Sequence, residues 1–338
     1  MLSACFMFDV HQAMYHQQPR FKTPTESRFL VCVPAQDHVW NARNASEWLQ
    51  FDDHHVQPQR LSEQDLSTRA ILNASSFTQS LVICWLASDL RLREDSTHPT
   101  ECIPQMNPAF GKLIDIFPNS PQVNTYLALY NTPLHDLLAI AGDTWVFAQK
   151  ITPPSAFHDA QSRLKTWSTS LAAAQATHYA CRVLSAALNQ PWISSPDDRA
   201  YGPHCISDYW SIYVSALICW AFGHRYQNSG STNSGTLSRS NSSTTIGAMN
   251  VDEAAISESV HLRAVKYADE ILELSVEELL TSKAAAKCDT TGVIDAVRQR
   301  LEYESIGNRS GLLVDAVTVL NKIKEGGRTK DGGRTKWF

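Results

Sequence analysis

The residues best suited to chemistry in this 338-residue chain are Asp52-Asp53-His54-His55, where two carboxylates and two imidazoles stand side by side. Carboxylate oxygen and imidazole nitrogen together suit magnesium, manganese or zinc. Adjacent side chains point in different directions, however, so four consecutive residues do not all reach one ion. Beside Pro58 and Arg60, and without a spaced partner motif, the cluster reads as a solvated loop. A helical cyclase acting on isoprenoids needs an Asp-rich magnesium motif and a second metal motif; Asp52-Asp53 has no third Asp two residues on. His135, His158, His178 and His224 stand alone on predicted helices, where packing accounts for a histidine without a ligand role. The eight cysteines include no Cys-x-x-Cys pair, so the element that opens most structural zinc sites is missing. The sequence also lacks a Gly-x-Ser-x-Gly elbow, a Walker loop, a dinucleotide fingerprint and a His-Glu-x-x-His pair. The expectation is a non-catalytic chain with no cofactor and no metal of its own; a metal-dependent helical enzyme or a helical interaction scaffold are the alternatives.

One further set of side chains is a candidate for binding. Trp145, Trp167, Tyr209, Trp210 and Trp220 fall on neighbouring predicted helices and would line an apolar ligand pocket if their rings converged. Large aromatics also dominate helical cores in general, and core packing is the simpler expectation for all five.

The elements that would position these residues are helical. Apolar residues recur three and four apart, and strand-like alternation is nearly absent. Leu2, Phe6, Val10 and Met14 predict a first helix that Pro19 stops. Residues 20–60 read as loop-rich with one short helix near 45–51. Ser62 predicts the cap of one or two helices running to Arg93. Short helices follow at 109–116 and 122–130, then one over 134–149 with Leu137, Leu138, Ala141, Trp145 and Ala148 on one face. Ser155 is expected to cap the next helix, with a break at Ser168-Thr169-Ser170 and an alanine-rich continuation to Leu188. The segment 206–225 is apolar nearly all round and should be the central helix. Helicity resumes at 251, with Leu262, Val265, Ala268, Leu272, Val276 and Leu279 expected on the buried face. Val293, Val297 and Leu301 mark a short helix, and Leu312 to Ile323 the last, ended by Gly326-Gly327.

These elements predict an all-α fold, an irregular multi-helix bundle, with residues 1–226 as its main body. Residues 227–250, eighteen of them Ser, Thr, Asn or Gly, are expected to be a flexible linker. Residues 251–325 should pack back on the bundle. The tail 326–338, which repeats Gly-Gly-Arg-Thr-Lys, is expected to be loose. Ser238 and Ser240 in the linker are phosphorylation candidates, although an inert spacer is the simpler reading.

Charge and composition narrow the partners. The 29 basic and 34 acidic residues leave a net charge of −5 and a pI near 6.2, a balance that repels rather than attracts a phosphate backbone. The first residues lack the positive start of a signal peptide, and the dispersed cysteines read as reduced intracellular thiols. On that basis the Asn-x-Ser triplets at 44, 73, 241 and 308 are not expected to be glycosylated. The longest apolar run, 209–222, is shorter than the roughly twenty residues a membrane-crossing helix needs.

Several short motifs are shared with one known group of proteins. Phe8-Asp9-Val10-His11-Gln12, Pro19, Leu30-Val31-Cys32-Val33-Pro34, Val39-Trp40-Asn41-Ala42 and Glu47-Trp48 resemble the fungal-specific transcription factor domain. Leu134 to Leu138, Trp145, Leu164 to Trp167, His178-Tyr179-Ala180, 206–224 and Leu312 to Val317 are similar to the helical region that follows in that family. The resemblance implies a nuclear regulatory module that works with the transcription machinery, self-association as a homodimer included. DNA contact and zinc would belong to an N-terminal finger that this sequence does not contain. It also implies a shortened chain, because Phe8-Asp9 falls near the middle of the shared domain. Leu2, Phe6 and Val10 would then have lost neighbours and lie exposed, or be covered by another chain.

Overall fold

Twelve α-helices, with further helical residues at 46–47 and 71, make up the regular structure among the described residues of a computed structural model of the chain, and no strand occurs among them. The described residues are 2–21, 44, 46–47, 71, 75–90, 108–142, 154–189, 206–224, 252–281, 290–307 and 310–325. Asp52 to His55, Trp145, the predicted cap at Ser62, the linker 227–250 and the tail 326–338 lie outside them. The chain forms two compact units, Met1–Tyr130 and Asn131–Phe338. This division falls at 130/131, inside the expected 1–226 body, and helices from both sides of 227–250 belong to the second unit.

The first unit holds α1 (Leu2–His16), α2 (Ser76–Ala87), α3 (Pro108–Ile116) and α4 (Pro121–Tyr130). Pro108 and Pro121 occupy first-turn positions, where a missing N–H costs nothing. Ser75 caps α2 by accepting a 3.2 Å hydrogen bond from the Thr78 N–H. Leu81 through Ala87 are then buried without a break, so α2 is enclosed on all sides. Helix α1 packs on α2 and α4, and α3 packs on both as well. Gln17 ends α1 in the left-handed region at φ 50°, held there by a 2.7 Å bond from its amide to the Leu129 carbonyl. Phe6, Val10 and Met14 are all buried. The expectation that Phe6 and Val10 had lost their neighbours is therefore corrected: both are buried where α1 packs on α2 and α4, while Phe8 on the same helix is exposed. The side chain of Leu2 is outside the described residues.

The second unit holds α5 (Leu134–Ala141), α6 (Pro154–Ser168), α7 (Leu171–Leu188), α8 (Ile206–His224), α9 (Asp252–Leu272), α10 (Val276–Thr281), α11 (Thr291–Gly307) and α12 (Gly311–Lys324). Helix α8 is buried from Tyr209 to Phe222, as its apolar circumference predicts, and packs against α5, α6, α7 and α11. Helix α7 starts at Ser170, whose hydroxyl accepts from the Ala173 N–H at 3.3 Å. Its buried alanines 172, 173, 174, 176 and 180 let α8 and α9 approach closely. Helices α11 and α12 pack on each other, and α11 also meets α8 and α9.

Three local expectations are corrected. Helix α5 stops at Ala141 instead of running to Gln149, because Gly142 takes the left-handed conformation at φ 86° that closes a helix. Pro154 opens α6, which places Ser155 inside the first turn and not at the cap. On α9 the buried face runs through Val260, Ala264, Tyr267, Ala268 and Ile271, and Leu262 is 67% exposed. The same stripe was expected to continue to Leu279, but α9 ends at Leu272 and α10 begins anew at Val276.

Helices α9 and α11 meet at Gly292, where an added Cβ would lie 2.9 Å from the Arg263 Cβ. That atom belongs to a stiff part of its side chain. Gly292→Ala should therefore destabilise the chain by about 1 to 3 kcal/mol despite alanine's higher helix propensity. Trp220→Ala, which empties a 2%-exposed position in the central helix, should cost about 3 to 5 kcal/mol. Chemical denaturation of the two variants against wild type measures both.

Candidate functional site

Among the described residues of the first unit, several titratable side chains gather around Tyr126, which is fully buried on α4. Gln122, one turn earlier on the same helix, donates its amide N–H to the phenol oxygen at 3.0 Å. From α1, the Nδ1 of His11 lies 2.9 Å from that oxygen. From α2, the Cys84 sulfur lies 3.6 Å from it, 3.7 Å from the Gln122 amide and 3.9 Å from the Met7 carbonyl. Tyr15 completes the group by stacking on His11 at 4.0 Å and meeting Tyr126 edge-on at 5.5 Å. One assignment satisfies the donors: Gln122 donates to the phenol oxygen, the phenol donates to a neutral His11, and the thiol donates to Met7.

Position decides what these groups do. Burial pushes the Cys84 thiol up to about 11, a shift that the Tyr126 and Gln122 hydrogen bonds only partly offset. Burial likewise raises the Tyr126 phenol well above 10.0, helped by its proximity to Cys84 and Tyr15. Both groups keep their protons at neutral pH. Cys84 is thus a hydrogen-bonding residue and not an activated nucleophile, since reactivity requires the thiolate. The arrangement holds three helices in register through groups that only one packing can satisfy.

A second network ties the other unit together. Asp295, buried on α11, lies 2.8 Å from the Lys324 ammonium on α12 and 3.8 Å from Arg298. Arg298 pairs with Glu302 at 2.6 Å. Arg300, 6% exposed, donates to the Ala187 carbonyl on α7 at 3.3 Å and lies 3.9 Å from Glu304. Glu304 in turn accepts from the Tyr209 hydroxyl on α8 at 3.0 Å. Burial, and then the Glu304 carboxylate, push the Tyr209 phenol up to about 12. On the exposed side, Arg163 forms a two-point pair with Asp136 at 2.9 and 2.7 Å.

The predicted aromatic set is distributed through this unit. Trp167, Tyr209, Trp210 and Trp220 are all buried. Trp167 donates its indole N–H to the Asn131 carbonyl at 2.7 Å, and Tyr209 is engaged by Glu304. Trp210 tilts against Tyr213, and Trp220 against His224. Trp210 and Trp220 stand ten residues apart on one helix, about 15 Å along its axis, so they belong to different layers of the core. Trp145 lies outside the described residues. His135 and His158 are exposed, and burial lowers His178 and His224 below the ordinary histidine range.

Among the described residues, no three His, Cys, Asp or Glu side chains stand close enough to hold a metal ion. No described helix is long and apolar enough to cross a membrane. No known protein family, no curated protein and no solved structure matches the chain. The residues that reasoning from sequence missed are Cys84, Gln122 and Tyr126. Their only local signal is the four-residue spacing of Gln122 and Tyr126, which puts two polar groups on one face of a helix that also carries Asn124 and Thr125.

Tyr126→Phe removes the shared oxygen while keeping the ring. It should cost about 1 to 3 kcal/mol in chemical denaturation, because the half-buried Gln122 amide loses its oxygen acceptor and keeps only the weaker Cys84 sulfur at 3.7 Å. Cys84 also predicts a pH dependence. Its folded pKa lies above the ordinary 9.0, so its contribution is fully present below pH 9 and is lost as pH rises from 9 to about 11. Unfolding free energies across that interval should fall more for wild type than for Cys84→Ala; equal slopes would show that the thiol is not what burial penalises.

Proposed function

We propose that the chain is a non-catalytic regulatory module of a nuclear transcription factor, of the kind linked to zinc fingers in fungal regulators. It works through contacts with the transcription machinery or through an effector held by its helices. The observation that carries this reading is where the motif residues fall. Phe8 to Gln12 lie in α1, Leu134 to Leu138 in α5, Leu164 to Trp167 in α6, His178 to Ala180 in α7, 206–224 in α8, and Leu312 to Val317 in α12. Many of their apolar members, among them Val10, Leu134, Leu137, Leu164, Trp167, Ala180 and Leu313, are buried, whereas Phe8 and Val314 are exposed; motif residues 30–34, 39–42, 48 and 145 lie outside the described residues. The described motifs therefore include helix-packing residues of the kind such a module would need.

The charge balance supports the same division of labour. A net charge of −5 opposes binding to a polyanion, which leaves sequence-specific DNA contact to a separate basic finger. A regulatory body of this kind needs docking surfaces and a stable core, and its buried polar groups serve the core.

Fusing residues 1–338 to an unrelated DNA-binding domain should change transcription of a reporter several-fold, up or down, relative to the DNA-binding domain alone. A folded, nuclear fusion that leaves the reporter unchanged would refute the proposal. The chain by itself should shift labelled duplex only weakly, without sequence preference, and lose that binding at moderate salt. Tight, selective and salt-resistant retention would reassign DNA recognition to these helices.

A further inference from the structure

Among the described residues outside the Tyr126 group and the ionic network, the fold brings two thiols together. The sulfurs of Cys181 on α7 and Cys219 on α8 stand 3.8 Å apart, and both residues are fully buried. We propose that this pair is an oxidation site, at which a small hydroperoxide converts the two thiols into a reversible disulfide that locks α7 to α8.

The geometry favours that product over isolated oxidation of either sulfur. A disulfide bond is about 2.05 Å long, so the sulfurs must close by about 1.8 Å, a distance within reach of side-chain rotation. The backbones must also be near each other, and the residues around the pair permit it. Ala176, Ala180 and Ala216 are buried in the same two helices, and small side chains allow the close helix approach that a bridge requires. Cys5 is exposed on α1, and Cys84 is engaged with Tyr126, so neither shares this setting.

Two neighbouring polar atoms suit the chemistry. Ser215, one turn before Cys219, is fully buried, and its hydroxyl oxygen has no hydrogen-bond partner among the described residues. His178, one turn before Cys181, has a buried Nδ1 that is likewise unpartnered among them. Burial and the nearby Arg182 lower this imidazole below the ordinary histidine range, so it adds no positive charge beside the pair at neutral pH. Both fall on the stripe that carries the cysteines.

With hydrogen peroxide as the oxidant, one thiolate sulfur attacks a peroxide oxygen. The O–O bond breaks, the departing oxygen takes up the released proton as water, and the sulfur becomes a sulfenic acid. The second sulfur then attacks the first, the S–O bond breaks, the S–S bond forms, and a second water leaves carrying the second thiol proton. Two thiols lose two electrons and two protons, and one peroxide gains both. A dithiol reductant reverses the result by exchange. Because both sulfurs are enclosed, the oxidant must be small, and the reaction waits on brief separation of the two helices.

The test uses the full chain, reduced and then treated with hydrogen peroxide, blocked with an alkylating reagent, digested and weighed. The expected product is a peptide linking Cys181 to Cys219, two hydrogens lighter than the sum of its parts and abolished by dithiothreitol. The oxidised chain should also melt about 5 °C or more above the reduced one, because the link closes a long loop in the unfolded state. Recovery of both cysteines as alkylated thiols, as separate sulfinic acids, or linked to other cysteines overturns the proposal. So does a link that leaves Tm unchanged or lower. The peptide measurement needs no variant; Cys219→Ser, if folded, should lose the melting shift.

Discussion

Close approach of α7 to its neighbours is the constraint on which the second unit depends. A helix faced with alanine offers little apolar area per residue, so its burial stabilises the fold only if the partner supplies bulk. Helix α8 supplies it through Trp210, Tyr213, Leu217, Trp220 and Phe222, all buried. Small residues on one helix and large ones on the other suit close packing of the two, so a change in either should be felt by both. The same economy of space brings the Cys181 and Cys219 sulfurs to 3.8 Å.

Each unit joins its helices through a polar arrangement as well as through apolar packing. In the first, Tyr126 gathers groups from α1, α2 and α4 around one oxygen. In the second, Arg300 and Glu304 link α11 to α7 and α8, and Asp295 links it to α12. Such groups contribute little net stability when satisfied and cost much when left alone. Their effect is to penalise alternative packings. An apolar helix such as α2, with no distinct polar face, needs such a restraint on its rotation.

The candidate site and the predicted aromatic set illustrate two kinds of distance. Trp167, Tyr209, Trp210 and Trp220 look like a cluster when only their types and helices are known, yet two of them are separated by ten residues of rigid helix. Tyr126 and His11 are 115 residues apart in the chain and hydrogen-bonded in the fold. A regulatory role, as proposed, would draw on surfaces that these cores hold in place.

Signals that act over one helical turn are legible in the chain. Apolar spacing of three and four, together with the prolines that interrupt it, places α1, α3, α4, α7, α8 and α12 closely, whereas α11, Thr291–Gly307, runs beyond the short helix that Val293, Val297 and Leu301 mark. The all-helical class follows from the same periodicity. Packing settles which side of a helix is covered and which distant groups meet. Leu262 was expected on the buried face of α9 but is 67% exposed, while Val260 is buried where α7 and α11 pack against that helix. The end of α5 at Gly142 was written in the chain but outweighed there by an apolar pattern that continued past it. The meeting of Met7, His11, Cys84, Gln122 and Tyr126 had no counterpart in spacing, since contacts across tens of residues are set by how helices pack and not by the order in which they are made.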